Sequence, residues 1–260
     1  MHDAGDYMYR VCVFDIDGVL NEAGKPVQEE SIQAIEMLEE HGLKIFFASG
    51  KHPWYITGAL IFSGLLREDT IVIGESGGHV FFPEKKESVL YTEYLEDVKK
   101  LKKIFYERQI FQHEFWEEPK ETLFSLFPRE SEKIPLFKRV LQEIIQEKNL
   151  NLYVIAHVDA LDVLQNGLNK TVGLKVLCKY LHISLDEIIA FGDWLNDLEM
   201  LSCVGYPVAV ANAVDTIKEV VQERGGYISQ LEYGKGVFEA VDYLIENVLY
   251  NNSCDKFPKW

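Results

Sequence analysis

Largely apolar, β-branched and aromatic runs cover residues 11–16, 43–48, 70–73, 188–191 and 207–210 of this 260-residue chain. They are near-continuous rather than alternating, the pattern of strands covered on both faces of a parallel sheet. Between them the period changes. Ile32, Ala34, Ile35 and Leu38 fall at helical spacing within 31–38, and further helices are predicted over about 55–66, over 171–181, after Asn196 and from about Asp215. Alternating strands and helices specify an α/β fold built on a parallel sheet.

The alternation breaks after a glycine-rich turn, Glu75-Ser76-Gly77-Gly78-His79, and a strand over 80–82. A charged helix over about 95–106, a strand over 122–127, a helix over 135–148 and strands over 152–164 follow. They mark a smaller inserted α/β domain, residues 84–163, between two parts of a core, 1–83 and 164–260. The ends, before about Tyr9 and after about Asn251, are expected to be loosely packed tails. The chain shows no internal repeat or low-complexity segment.

Chemistry collects where the apolar runs stop. The first ends in Phe14-Asp15-Ile16-Asp17-Gly18, the second in Ser49-Gly50, and the run over 188–191 in Gly192-Asp193. Ligands of open α/β sheets bind in the crevice at the carboxyl ends of such strands. Residues two apart on a strand share a face, so Asp15 and Asp17 face one ligand if the chain stays extended. Acids that close repel unless a cation or a shared proton intervenes. Each piece also has a local reading: Asp17-Gly18 as a turn, Ser49 as a helix cap, Lys170 as a solvated lysine opening a helix, and Asp193 and Asn196 as turn formers.

Taken together and in order, Asp15-Ile16-Asp17-Gly18-Val19, Ser49-Gly50, Lys170 and Gly192-Asp193-x-x-Asn196-Asp197 resemble the four motifs of the haloacid dehalogenase superfamily, in its Cof-like phosphatase branch. The resemblance spans residues 11–240 or so. Val19 stands where members commonly have Thr, and Lys51 where they have Arg. The resemblance implies a Rossmann-like core, with the insertion as an α/β (type IIB) cap that excludes water and selects the substrate.

The same resemblance implies a mechanism. Asp15 would be the nucleophile, forming an aspartyl-phosphate that water hydrolyses. Asp17 would be general acid and then base, its main-chain carbonyl also reaching the metal. Mg2+ would be held by Asp15, Asp17 and Asp193, with Asp197 supporting the metal shell. Ser49 and Lys170 would act on the phosphoryl oxygens, with Gly50, Lys51 and Asn196 as further substrate contacts. Ile73-Gly74-Glu75-Ser76-Gly77-Gly78 is similar to a stretch of archaeal-type phosphoglycolate phosphatases and sucrose-phosphate phosphatases, which points to a small phosphorylated acid or sugar. A phosphomutase on the same fold and a non-catalytic phospho-metabolite sensor are the alternatives; the spacing of the fourth motif disfavours the first, and retention of every carboxylate the second.

Composition narrows the partners. A formal charge of −16 argues against nucleic acid, which needs basic patches, though not against a small anion met by local cations. His52, His79, His113 and His157 lack metal-type spacing, though His52 and His79 lie nearest the expected cleft, and Arg129 and Lys133 are anion contacts to consider in the insertion. Cys12, Cys178, Cys203 and Cys254 form no close pair of zinc or redox spacing, so reduced thiols and a cytoplasmic location are expected. No apolar stretch approaches a membrane span and no signal-peptide pattern opens the chain. Oligomeric state is not specified by the sequence.

Overall fold

Both faces of the strand Val11–Phe14 (β1) are buried in the computed structural model of this protein, which describes residues 8–249 apart from Gln112. The expected tails lie almost wholly outside these residues. From β1 the chain runs through Glu29–Glu40 (α1), Lys44–Ala48 (β2), Pro53–Phe62 (α2), Val72–Gly74 (β3), His79–Phe82 (β4) and Glu87–Leu90 (β5). Then come Leu95–Glu107 (α3), Phe115–Glu118 (β6), Phe124–Pro128 (β7), Ile134–Lys148 (α4), Leu152–Ala156 (β8) and Leu161–Gln165 (β9). Lys170–Leu181 (α5), Ile188–Gly192 (β10), Leu198–Cys203 (α6), Tyr206–Ala209 (β11), Asp215–Glu223 (α7), Tyr227–Ile228 (β12) and Tyr233–Leu244 (α8) complete it.

The chain divides into two units: one holds the described residues up to Glu87 and from Asn169, the other Ser88–Leu168. In the first, the sheet order is β12-β11-β10-β1-β2-β3-β4, parallel from β12 to β3, with β4 antiparallel to β3. Strand periodicity splits its core into two layers. Cys12 and Phe14 pack with Ile35 and Leu38 of α1, Ile56 and Leu60 of α2 and Val241 and Leu244 of α8. Val11 and Val13 pack on the other face with Leu174 and Leu177 of α5, Leu201 of α6 and Ile217 of α7. Helices on both faces explain why the strands read as unbroken apolar runs.

The second unit is an antiparallel sheet of order β6-β7-β9-β8. Leu101 and Phe105 of α3 and Phe137, Leu141 and Ile144 of α4 share one core with Phe124, Leu126, Leu161 and Val163 of the sheet.

In the second unit the Tyr153 hydroxyl donates to the carbonyl of Leu168, the last residue of that unit. Several elements carry too little pattern to be read from the sequence: β5 is exposed throughout, β6 is Phe-Trp-Glu-Glu, and β12 has two residues. Helix α8 opens Tyr-Gly-Lys-Gly, and the glycines mask its periodic Val237, Ala240, Val241 and Leu244. Cys12, Cys178 and Cys203 are free thiols. Among the described residues no helix is long and apolar enough to cross a membrane.

Candidate functional site

Register aligns the strand ends of the first unit. Phe14 lies opposite Phe47 of β2 and Phe191 of β10, and its ring stacks on Phe191 at 4.5 Å. One residue further on, Asp15, Ala48 and Gly192 reach the same level. The Asp15 N–H donates to the Phe191 carbonyl at 3.0 Å and the Ser49 N–H to that of Ile73 at 2.9 Å. Adjacent parallel strands thus place Asp15, Ser49 and Asp193 along one carboxyl edge.

Lys170, the first residue of α5, is fully buried, and its Nζ donates to Asp15 Oδ1 at 2.7 Å and to Asp197 Oδ1 at 2.5 Å. Asn169 caps that helix by accepting the Thr171 N–H, which fixes where the lysine starts. The other oxygen of Asp197 accepts the N–H groups of Asp193 and Trp194 at 3.1 and 3.2 Å. Glycines admit these carboxylates. At Gly192 a Cβ would stand 2.6 Å from Asp197 Cβ; at Gly18, whose φ is +94°, it would stand 2.2 Å from Asp193 Oδ2.

Asp15, Asp193 and Asp197 each offer a carboxylate oxygen within 4.8 Å of the others, all buried, and Asp193 Oδ1 has no hydrogen-bond partner. One ammonium does not balance this charge. Burial, then Asp197, raises the Asp15 carboxyl to about 7 in spite of Lys170. Burial, then Asp15 and Asp197, raises Asp193 to about 9. Burial alone would lower the Lys170 ammonium, but Asp15 and Asp197 outweigh it and hold it above its usual range. An oxygen-only, anion-rich donor set with an unpartnered buried oxygen fits a hard divalent cation such as Mg2+.

The other expected residues lie around this cluster. The Asp17 carboxylate stays outside it, accepting from Asn21 Nδ2 at 3.3 Å in the turn that follows β1. Ser49 is buried and its Oγ accepts the Lys51 N–H at 3.3 Å. A Cβ at Gly50 would meet Ser76 Oγ at 3.6 Å, an ordinary contact. The Lys51 ammonium lies 5.7 Å over the Tyr55 ring. Asn196, in the turn Leu195–Asp197, keeps a buried Oδ1 without a hydrogen-bond partner. In the second unit, Lys133 pairs with Glu114 and Glu130, and His157 with Asp162.

One contributor escapes sequence reasoning. Asn212 donates from Nδ2 to the Gly18 carbonyl at 2.8 Å and accepts the Tyr233 N–H at 2.9 Å, tying the turn beside Asp17 to the start of α8. Its signal is the one that marks Ser49, a polar residue just past an apolar strand, here β11.

The haloacid dehalogenase-like hydrolase family matches residues 12–138 and 110–240 of this chain. Phosphoglycolate phosphatase 1 of Saccharolobus solfataricus is 28% identical over 242 residues, 92% of this chain and 97% of the relative. An HMP-PP phosphatase of Serratia proteamaculans is 27% identical, over 83% of this chain and 89% of its own. A haloacid dehalogenase-like hydrolase from Bacteroides thetaiotaomicron shares the fold with a TM-score of 0.75 at 20% identity, over 91% of this chain and 99% of that one.

Proposed function

Because this chain belongs to the haloacid dehalogenase-like hydrolase family, we propose that it is a magnesium-dependent phosphatase that hydrolyses a small phosphomonoester through an aspartyl-phosphate on Asp15. The observation that carries this reading is the surplus of buried carboxylate oxygens around Lys170, with Asp193 Oδ1 unpartnered.

A carboxylate oxygen of Asp15 attacks phosphorus, and the bond from phosphorus to the leaving oxygen breaks as Asp17 gives that oxygen a proton. Water then attacks the phosphorus of the aspartyl-phosphate as Asp17 takes its proton, the bond from phosphorus to the Asp15 oxygen breaks, and inorganic phosphate and the free Asp15 carboxylate result. The Lys170 ammonium counters charge on the phosphoryl oxygens, and the Ser49 hydroxyl donates to one of them. Asp197 holds Lys170 and the amides of Asp193 and Trp194 in place. Bound Mg2+, held by Asp15, Asp193 and the Asp17 carbonyl, would offset the carboxylates, keep Asp15 ionised and neutralise the phosphoryl group. Gly50, Lys51 and Asn196 complete the substrate side. The Ser88–Leu168 unit, inserted in sequence between Ser49 and Lys170, is assigned as the cap.

Relatives named for phosphoglycolate and for HMP-PP support a small phosphorylated metabolite without choosing between them. Phosphate release from phosphoglycolate, hexose phosphates, sucrose phosphate and HMP-PP, with Mg2+ and with chelator, tests the reading. Release that needs Mg2+ and vanishes in Asp15→Asn is expected; release that persists in that variant overturns the nucleophile.

A further inference from the structure

The geometry points to a second metal site in the first unit, formed by His52, Glu75 and His79, that takes a borderline transition-metal dication such as Zn2+ through two imidazole nitrogens and one carboxylate oxygen. His52 caps α2, Glu75 follows β3 and His79 opens β4, so three elements converge on the site. One ligand atom from each residue lies within 4.8 Å of the others. Glu75 Oε1 is 3.4 Å from His79 Nδ1 and 3.7 Å from His52 Nε2. Ligands held about 2.0–2.1 Å from a tetrahedral metal stand about 3.3–3.4 Å apart. The first edge has that length, and the second needs only a small turn of the half-buried His52 ring.

The donors also separate this site from the aspartate cluster. Two nitrogens and one oxygen suit Zn2+ or Co2+ and leave a fourth position for water, whereas oxygen-only sites suit Mg2+. Glu75 and Ser76 both adopt left-handed backbone, at φ +52° and +55°, and this turn sets the fully buried Glu75 carboxylate against both rings. Backbone held in that region by non-glycine residues persists where its surroundings over-determine it, and it clusters at ligand sites.

Loading has a local consequence. His52 Nδ1 accepts the Trp54 N–H at 3.2 Å, so a neutral ring carries its proton on Nε2. Coordination through Nε2 requires that proton to leave and Nδ1 to take one up. The amide of the exposed Trp54 then turns to water, coupling the metal to the first turn of α2.

The inference needs neither substrate nor turnover, so it stands or falls apart from the phosphatase reading. Co2+ is titrated into the full chain in saturating Mg2+, which occupies the oxygen-only cluster, and visible absorption is followed together with the Trp54 amide resonance. A saturable band of four-coordinate Co2+, a shift of that resonance, and affinity weakened at least about tenfold in His52→Ala and in His79→Ala are expected. No band, or unchanged affinity in folded His52→Ala, overturns the site. If His79→Ala does not fold, the partly exposed His52 position decides alone.

Discussion

Each unit buries a lysine among carboxylates, with opposite electrostatic results. Lys170 donates to Asp15 and Asp197, yet the Asp15 and Asp193 carboxyls are pushed far above the ordinary range. Lys120 in the second unit lies 3.0 Å from Glu118 Oε2 and 3.5 Å from Asp162 Oδ1 and donates to Ser125 Oγ. Burial alone would raise Asp162, but Lys120 and His157 outweigh it and hold it well below the usual range. Glu118, Ser125 and Asp162 are directly opposite one another across β6, β7 and β9, and Ser125 and His157 both reach the Asp162 carboxylate. A buried lysine therefore does not mark a site by itself. Asp162 has nearby positive charge and hydrogen bonds enough to stay ionised, and Glu118 Oε2, though without a hydrogen bond, lies 3.0 Å from the Lys120 ammonium, whereas Asp193 Oδ1 has neither a hydrogen bond nor an ion pair and favours a cation.

In Asp15→Asn phosphate release should fall by more than about 10⁴-fold, since a residue acting as nucleophile takes the whole reaction with it. Lys170→Met should lower kcat by about 10²–10³-fold, the scale of losing one donor to developing charge, and equal turnover would remove Lys170 from the chemistry. Lys120→Met should instead act on folding. It leaves Asp162 and Glu118 buried without their ammonium, so urea unfolding should show a loss of about 3–5 kcal/mol. A change much smaller than that would deny the balance claimed for the second unit.

Adding Mg2+ should stabilise the wild-type chain by about 2.7 kcal/mol at a hundred times its dissociation constant. Thermal unfolding of Asp193→Asn should show that gain shifted to much higher Mg2+, and an unaltered response would refute its ligand role.

Stability also depends on pH, and the sign of that dependence differs between the clusters. Asp15 at about 7 and Asp193 at about 9 lie above the unfolded carboxylate value of about 3.9, so the native state keeps protons that the unfolded chain releases. In chelator their contribution is fully present below about pH 4 and is lost as pH rises through about 7 and about 9. Asp162 contributes above the unfolded value, and its share is lost as pH falls toward its depressed native one. Unfolding midpoints should decline toward alkaline pH without metal and flatten with Mg2+; a flat metal-free profile would contradict the charge surplus.

What is legible in the sequence follows from burial. Asp15, Ser49 and Asp193 each end an apolar run, and such runs are unbroken because helices cover both sheet faces. Asn212 obeys the same rule after β11. His52, Glu75 and His79 do not: the glycines mark a turn there, but the meeting of the three side chains depends on left-handed backbone at Glu75 and Ser76, two residues that do not announce it. The row Glu118–Ser125–Asp162 is equally hidden, because strand register across β6, β7 and β9 is a property of pairing.

The α/β class, the parallel core with an inserted domain, the family and the residues at the strand ends are written along the chain, because period and side-chain chemistry are local and act wherever it folds. Tertiary structure decided which charges meet. Only the folded sheet puts Lys170 against Asp15, 155 positions away, and against Asp197. Coulomb energy and desolvation depend on distance and burial in space, so the imbalance at one lysine and the balance at the other had no expression along the chain.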